Sequence, residues 1–207
     1  MVQSRVAFRA ARRCRRALKI NKIYLQIKGE SVMSKSIADY VTAIPDYPEK
    51  GVIFRDITTV IQHPEGLKMA IDEMVKLIGD TECDLVAGAE ARGFIFGAPI
   101  AYALGKGFIP VRKKGKLPRE TVSQAYELEY GTAEIEIHKD SLKPGQKVVL
   151  VDDLMATGGT MEAAVKLIES LGGEVVKIVF LLELAGLKGR DKLKGYDVVS
   201  VLTYEGK

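Results

Sequence analysis

Val148-Val149-Leu150-Val151-Asp152-Asp153-Leu154-Met155-Ala156-Thr157-Gly158-Gly159-Thr160 joins an apolar run to two carboxylates, a turn of small residues and the opening of a helix. The unbroken apolar run predicts a strand buried on both faces, as in parallel α/β sheets. Ligands of such sheets bind at the carboxyl ends of the strands, and that is where Asp152 and Asp153 fall. Gly158 and Gly159 let the backbone come close to a ligand. The amides there, with the hydroxyls of Thr157 and Thr160 and the N-terminus of the following helix, would make an anion cradle. The adjacent carboxylates suit sugar hydroxyls or a water-bridged Mg²⁺. The stretch therefore offers acceptors for a diol and donors for a phosphate, and a ribose 5-phosphate presents both. It is not a Walker A loop, because no Gly-Lys-Ser/Thr follows, and it lacks the GxGxxG dinucleotide fingerprint. The plain alternative is a strand–turn–helix in which Asp caps and the glycines only turn the chain.

Outward from this stretch, apolar strands alternate with helical patterns from Met33 on. Ser36-Ile37-Ala38-Asp39 fits a capping box opening a short helix that stops at Pro45. Leu67, Ala70, Ile71, Met74 and Ile78 keep helical spacing, which predicts an amphipathic helix over 66–79. Residues 85–88 and 108–111 read as short strands around a small-residue helix at 93–105. Residues 112–131, rich in charge and holding Gly115 and Pro118, read as a long loop. Ala133, Ile135 and Ile137 alternate with Glu134, Glu136 and His138, the pattern of a half-exposed strand. A strand at 147–151, a helix at 159–171 and strands at 174–182 and 196–203 follow. Repeated strand–helix–strand units predict a mainly parallel sheet covered by helices on both faces. Cys83 reads as a small buried apolar residue and His138 as a strand-edge polar one.

The chain has 207 residues, 47% hydrophobic and 28% charged, which is ordinary for a globular protein and excludes collagen-like, disordered and disulfide-scaffold classes. No apolar run approaches the roughly 20 residues needed to span a bilayer, so no membrane partner is expected. Cys14 and Cys83 lack CxxC spacing and fit a reducing, cytoplasmic compartment. Two histidines leave little for a His-based metal site. The net charge of +4 is unevenly spread, because residues 1–29 carry nine basic residues and no acid. The remainder holds 22 basic against 27 acidic residues, a balance of −5, so nucleic acid is not an expected partner. Residues 1–32 read as a basic leader outside the fold. Two origins stay open: a translated segment upstream of a start at Met33, or a targeting peptide. Residues 33–207 read as one domain.

Residues 148–160 resemble the phosphoribosyl pyrophosphate (PRPP) motif of type I phosphoribosyltransferases. Within that group the resemblance is to the adenine-specific family. Asp46-Tyr47-Pro48 and Gly51–Ile57 resemble its N-terminal signature, and Glu90-Ala91-Arg92-Gly93-Phe94 its pyrophosphate loop. Arg112–Pro118 and Leu128-Glu129-Tyr130-Gly131 resemble the two ends of its mobile loop, and Leu182-Glu183-Leu184 with Leu187–Arg190 its C-terminal part. The likeness runs in the family's order from about residue 37 to the end.

The resemblance implies the type I fold with a small hood and a mobile lid loop. It implies an Mg²⁺-dependent enzyme of purine salvage that converts adenine and PRPP to AMP and pyrophosphate, working as a cytoplasmic homodimer. Asp152 and Asp153 would face the ribose hydroxyls and place the metal indirectly, through PRPP and water. Ala156, Thr157, Gly158, Gly159 and Thr160 would hold the 5-phosphate. Arg92 would serve the pyrophosphate loop, where a non-proline cis peptide is expected near Glu90–Ala91. Arg112, Lys113, Lys116 and Tyr130 would meet PRPP from a lid that also shields the reacting centre from water. Phe54 and Leu184 would sandwich the purine, while the backbone at Ile53 and Arg55 reads its edge. Glu129 would meet adenine N7 and manage the base's proton. Two other readings are weighed against this one. A xanthine-type enzyme would lack the signature over Val52–Asp56. A non-catalytic PRPP-binding regulator would be expected to bring a DNA-binding domain, for which residues 1–32 are short and unpatterned.

Overall fold

The computed structural model describes residues 35–128 and 131–206. The expectations placed on residues 1–32, Glu129 and Tyr130 therefore lie outside the described residues.

A 3₁₀ turn at Ile37–Tyr40 leads into β1 (Thr42–Pro45), which pairs antiparallel with β2 (Ile53–Asp56) as a two-stranded ribbon. The short α1 (Thr58–Gln62) and the long α2 (Pro64–Ile78) follow. Then come β3 (Leu85–Ala89), α3 (Arg92–Leu104), β4 (Gly107–Lys113), β5 (Thr121–Leu128), β6 (Gly131–His138), β7 (Lys147–Met155), α4 (Gly159–Ser170), β8 (Glu174–Leu184) and β9 (Val198–Tyr204). Seven strands form one sheet in the order β5-β6-β4-β3-β7-β8-β9. The five from β4 to β9 are parallel, and β5 and β6 add an antiparallel hairpin at the edge.

The apolar run of the opening motif explains the layering. Val148 and Leu150 on β7 enter a core with Leu167 and Ile168 of α4, whereas Val149 and Val151 enter the opposite core with Met74, Ile78, Phe96 and Ile100 of α2 and α3. A strand with apolar side chains on both faces can only be satisfied between two helical layers. Each fully buried Val or Leu contributes about 1.5–3 kcal/mol. α2 shows how sequence sets a helix. Pro64 occupies its first position, the His63 ring accepts from the Glu65 N–H at 3.2 Å, and Ala70, Met74 and Ile78 form one fully buried stripe.

Three expectations need correction. The capping box at Ser36–Asp39 does not open a helix to Pro45: the helical turn ends at Tyr40, and Thr42–Pro45 is a strand. Pairing with β2 overrides the cap, and β-branched Val41 and Thr42 favour it. Residues 112–131 are not one loop. β4 continues through Lys113, and residues 121–128 form a strand paired with β6 along its whole length. The alternation was present, since Val122, Gln124 and Tyr126 are part-buried while Ser123, Ala125 and Glu127 are exposed. Charge and glycine in the first half of the segment masked it. Finally, Glu136 does not face solvent: it is 4% exposed. Its Oε1 accepts from the N–H groups of Lys116 and Leu117, both at 3.0 Å. Burial alone would raise its carboxyl's pKa, but those N–H groups, with that of Gly115, hold it below the usual range.

Candidate active site

Parallel strands bring their carboxyl ends to one side, so the loops after β3 and β7 lie next to each other. After β3 the chain passes Glu90–Ala91, where the expected non-proline cis peptide is found, and enters α3 at Arg92. After β7 it makes the small-residue turn and enters α4 at Gly159. Gly93 allows the two to meet, because a Cβ there would lie 2.8 Å from Asp152 Oδ1 and 3.1 Å from the Val151 carbonyl.

Three concavities converge on the end of β7. The first is a slot between the β1–β2 ribbon and the sheet, lined by Ile53, Phe54, Arg55, Arg92, Asp153 and Leu184 among others. The second is a cavity of about 400 Å³ bounded by Glu90, Arg92, Lys113, Tyr126, Asp152, Asp153 and Thr160. The third is the turn itself, residues 156–160, above Phe180. Arg92 and Asp153 border both slot and cavity, with Arg92 Nε 2.6 Å from Asp153 Oδ2. The side chain of Asp153 is 7% exposed and that of Arg92 48%. This ion pair is therefore a wall shared by two compartments, one apolar and one charged. Burial, and then the neighbouring Asp153 carboxylate, push the Asp152 carboxyl well above the usual carboxylate range, while Arg92 draws it down.

The cradle has its own constraint. Gly158 sits at φ +78°, and a Cβ there would come 2.5 Å from the Gly189 carbonyl. Gly189 in turn could carry no side chain, since its Cβ would lie 2.4 Å from the Ala156 carbonyl. Two glycines distant in sequence thus let the turn press against the 3₁₀ segment Gly189–Leu193.

Comparison with known proteins gives the family. Residues 57–205 match the profile of the phosphoribosyl transferase domain. The adenine phosphoribosyltransferase of Butyrivibrio fibrisolvens is 66% identical over 173 residues, spanning 84% of this chain and 96% of the relative. The crystal structure of the enzyme of that name from Thermoanaerobacter pseudethanolicus superposes with a TM-score of 0.78 at 54% identity, covering 81% of this chain and 98% of that one. The Saccharomyces cerevisiae adenine phosphoribosyltransferase, solved with adenine and an imino-altritol bisphosphate, gives 0.75 at 38% identity, with 80% and 96% covered. The chain belongs to the adenine phosphoribosyltransferase family. It is a phosphoribosyltransferase, with the mainly parallel sheet of the type I fold.

Within this family frame, the predicted residues fall as follows. Ile53, Phe54, Arg55 and Leu184 come together in the slot, and Arg92, Lys113, Asp152, Asp153 and Thr160 around the cavity. Ala156, Thr157, Gly158 and Gly159 form the turn. The basic segment departs from a set of free cations. Arg112 Nε donates to Glu90 Oε2 at 3.1 Å, and Arg112 Nη1 to the Lys116 carbonyl at 3.1 Å. Lys114 is paired with Glu134 at 2.7 Å, and Arg119 with Asp140. Lys113 lines the cavity, its N–H also donating to Glu90 at 3.1 Å. Arg112 holds the Glu90 carboxyl below the usual glutamate range. Reading the segment from its cations alone missed these acids, because they come from β6, its following turn and the loop after β3.

Sequence reasoning also missed what braces the cradle. Glu183, 4% exposed, accepts from Arg190 Nε and Nη2, each at 2.7 Å, and from Ser200 Oγ at 2.8 Å. Arg190 follows Gly189, so the pair holds the segment that backs the turn. Glu183→Gln should cost about 2–3 kcal/mol, less than the 3–5 of a fully buried pair because Arg190 keeps half its surface in water. Urea titration measures this. Arg190 keeps the Glu183 carboxyl below its ordinary range. The stability it contributes is therefore full above the unfolded-state glutamate value and is lost as pH falls through the lowered folded value. The variant's deficit should accordingly be present at neutral pH and shrink in acid.

Proposed function

We propose that this chain transfers the 5-phosphoribosyl group from PRPP to adenine, giving AMP and pyrophosphate. The observation that carries the reading is the convergence at Arg92–Asp153 of an apolar slot with a charged cavity that reaches Thr160 of the small-residue turn. A base held in the slot and a phosphoribosyl group held in the cradle would meet at that wall. The yeast relative was solved with adenine together with a bisphosphate, which supports a site here that takes a base and a phosphorylated sugar at once.

In this reading, Phe54 and Leu184 stack the purine and the Ile53–Arg55 backbone reads its edge. The cradle from Ala156 to Thr160 anchors the 5-phosphate, and Asp152 and Asp153 accept from the ribose hydroxyls. The C1′–oxygen bond to pyrophosphate breaks as N9–C1′ forms, and the N9 proton leaves the base. Arg92, Lys113, Arg112 and Lys116 stabilise the charge gathering on the leaving group, with Tyr130 completing the PRPP contacts. Glu129 carries the proton change on the base. Among the described residues no group of three or more His, Cys, Asp or Glu converges. The donor set thus fits Mg²⁺ only as an ion completed by PRPP oxygens and water beside Asp152 and Asp153, where it would neutralise pyrophosphate charge.

The deciding experiment is a PRPP-dependent assay with adenine, guanine, hypoxanthine and xanthine in parallel. Turnover of adenine alone is the expected result, and a preference for xanthine would overturn the reading. Asp153→Asn is expected to weaken PRPP binding about ten- to 150-fold, the effect of losing a charged hydrogen bond worth roughly 1.5–3 kcal/mol. Calorimetry with Mg²⁺ present measures it. Catalysis is assigned to residues 33–207, so a chain starting at Met33 should keep its activity within about tenfold. Two exposed apolar side chains on α3, Ile95 and Tyr102, the latter 88% exposed, support a second copy of the chain as partner. Sedimentation would read the dimer. No helix among the described residues is long and apolar enough to cross a membrane, and the buried free thiol of Cys83 suits a cytoplasmic setting.

A further inference from the structure

The slot has two walls on different parts of the fold. Phe54 belongs to the β1–β2 ribbon, and Leu184 ends β8 of the seven-stranded sheet. The ribbon is a separate sheet. Its end is tied to α1, where Asp56 accepts from the Thr58 N–H at 2.8 Å and the Asp56 carbonyl accepts from Thr59 Oγ1 at 3.0 Å. Among the described residues no hydrogen bond or ion pair joins residues 42–56 to the large sheet. What bridges the gap is a stacking contact. The Arg55 guanidinium lies over the Tyr204 ring, 4.1 Å from its centroid. Arg55 is the chain neighbour of Phe54, and Tyr204 is the register partner of Leu184 on the adjacent strand. The contact thus joins the residue beside one wall to the residue beside the other.

We propose that Tyr204 is a positioning residue for the base: by holding Arg55 it fixes the spacing between Phe54 and Leu184, and so sets affinity for a flat heteroaromatic ring. This rests on the slot being the purine site. Tyr204 is not among the residues that line the slot; it acts through Arg55. A purine stacked between two walls gains only when both are at van der Waals distance. A ribbon free to lift loses that contact while the phosphate cradle, on the far side of Arg92–Asp153, keeps its geometry. The cation–π attraction depends on the ring face and not on the hydroxyl, which separates this role from a hydrogen-bonding one.

The test varies adenine at saturating PRPP, and PRPP at saturating adenine, for wild type, Tyr204→Leu, Tyr204→Phe and Arg55→Met. Tyr204→Leu should raise the KM for adenine roughly three- to thirtyfold, with the KM for PRPP within about twofold. Tyr204→Phe should restore the wild-type value. Arg55→Met approaches the same contact from its other side and serves if Tyr204→Leu folds poorly. Its effect and that of Tyr204→Leu should not add in the double variant. An unchanged adenine KM, an equal rise in both KM values, or a Tyr204→Phe variant as impaired as Tyr204→Leu would overturn the proposal. Failure of the underlying reading shows separately, as a wild-type enzyme that does not turn over adenine.

Discussion

Glu129→Gln should lower the single-turnover rate about 10²–10⁴-fold, the usual worth of general acid–base assistance, while PRPP affinity stays within about threefold. The described residues that precede Glu129 in sequence lie beside the turn at 156–160. Leu128 and Gly131, on either side of Glu129-Tyr130, are register partners closing the β5–β6 hairpin. That end of β5 reaches the cradle: a Cβ on Gly159 would lie 3.3 Å from the Glu127 carbonyl and 3.4 Å from the Tyr126 ring. Glutamine keeps the shape and one hydrogen-bonding edge but cannot exchange a proton. Saturating PRPP in a single-turnover experiment separates chemistry from product release. A fall of less than about threefold would leave the base's proton to backbone groups or water. A plain solvated acid would show almost no effect, since surface substitutions stay within about 0.5 kcal/mol.

Gly158→Ala is expected to weaken PRPP binding at least thirtyfold, with the slot between Phe54 and Leu184 intact. Two costs combine at this position. A side chain at φ +78° is strained by about 1–3 kcal/mol. The added Cβ would also stand 2.5 Å from the Gly189 carbonyl, and backbone cannot swing aside as a flexible side chain would. Relief requires the turn to move off the Gly189 segment, which Glu183 and Arg190 hold in place. Overpacking of this kind costs about 1–3 kcal/mol more. Either route disturbs the amides that would hold the 5-phosphate. Calorimetry with PRPP and Mg²⁺, beside an adenine titration, reads the split; equal loss for both ligands would mean a general unfolding.

The parallel core, the cradle and its carboxylates were all legible from one end of the chain to the other, because each is written in contiguous residues. An apolar run that cannot tolerate water on either face demands two helical layers. A strand end followed by Asp-Asp and a glycine turn offers acceptors for hydroxyls and donors for a phosphate side by side. The β5 strand was legible in principle, since its alternation of part-buried and exposed residues is regular, but a basic, glycine-containing approach obscured it.

What only the tertiary structure decided is everything that depends on partners far apart in sequence. Nothing in Arg112–Arg119 says that Glu90, Glu134 and Asp140 hold three of its cations. Nothing around Glu136 says that its carboxylate collects backbone N–H groups from that same segment. The glycine at 158 reads as a turn residue, and only the approach of Gly189 shows that it also leaves room for another backbone. Likewise Arg55 and Tyr204 come from opposite ends of the domain and carry no shared motif. Local pattern determines where strands, turns and helices form, because period and backbone preference act over a few residues. Which charges are neutralised and which walls face each other is settled by chain crossings, where short-range electrostatics and packing act between segments that the sequence keeps apart.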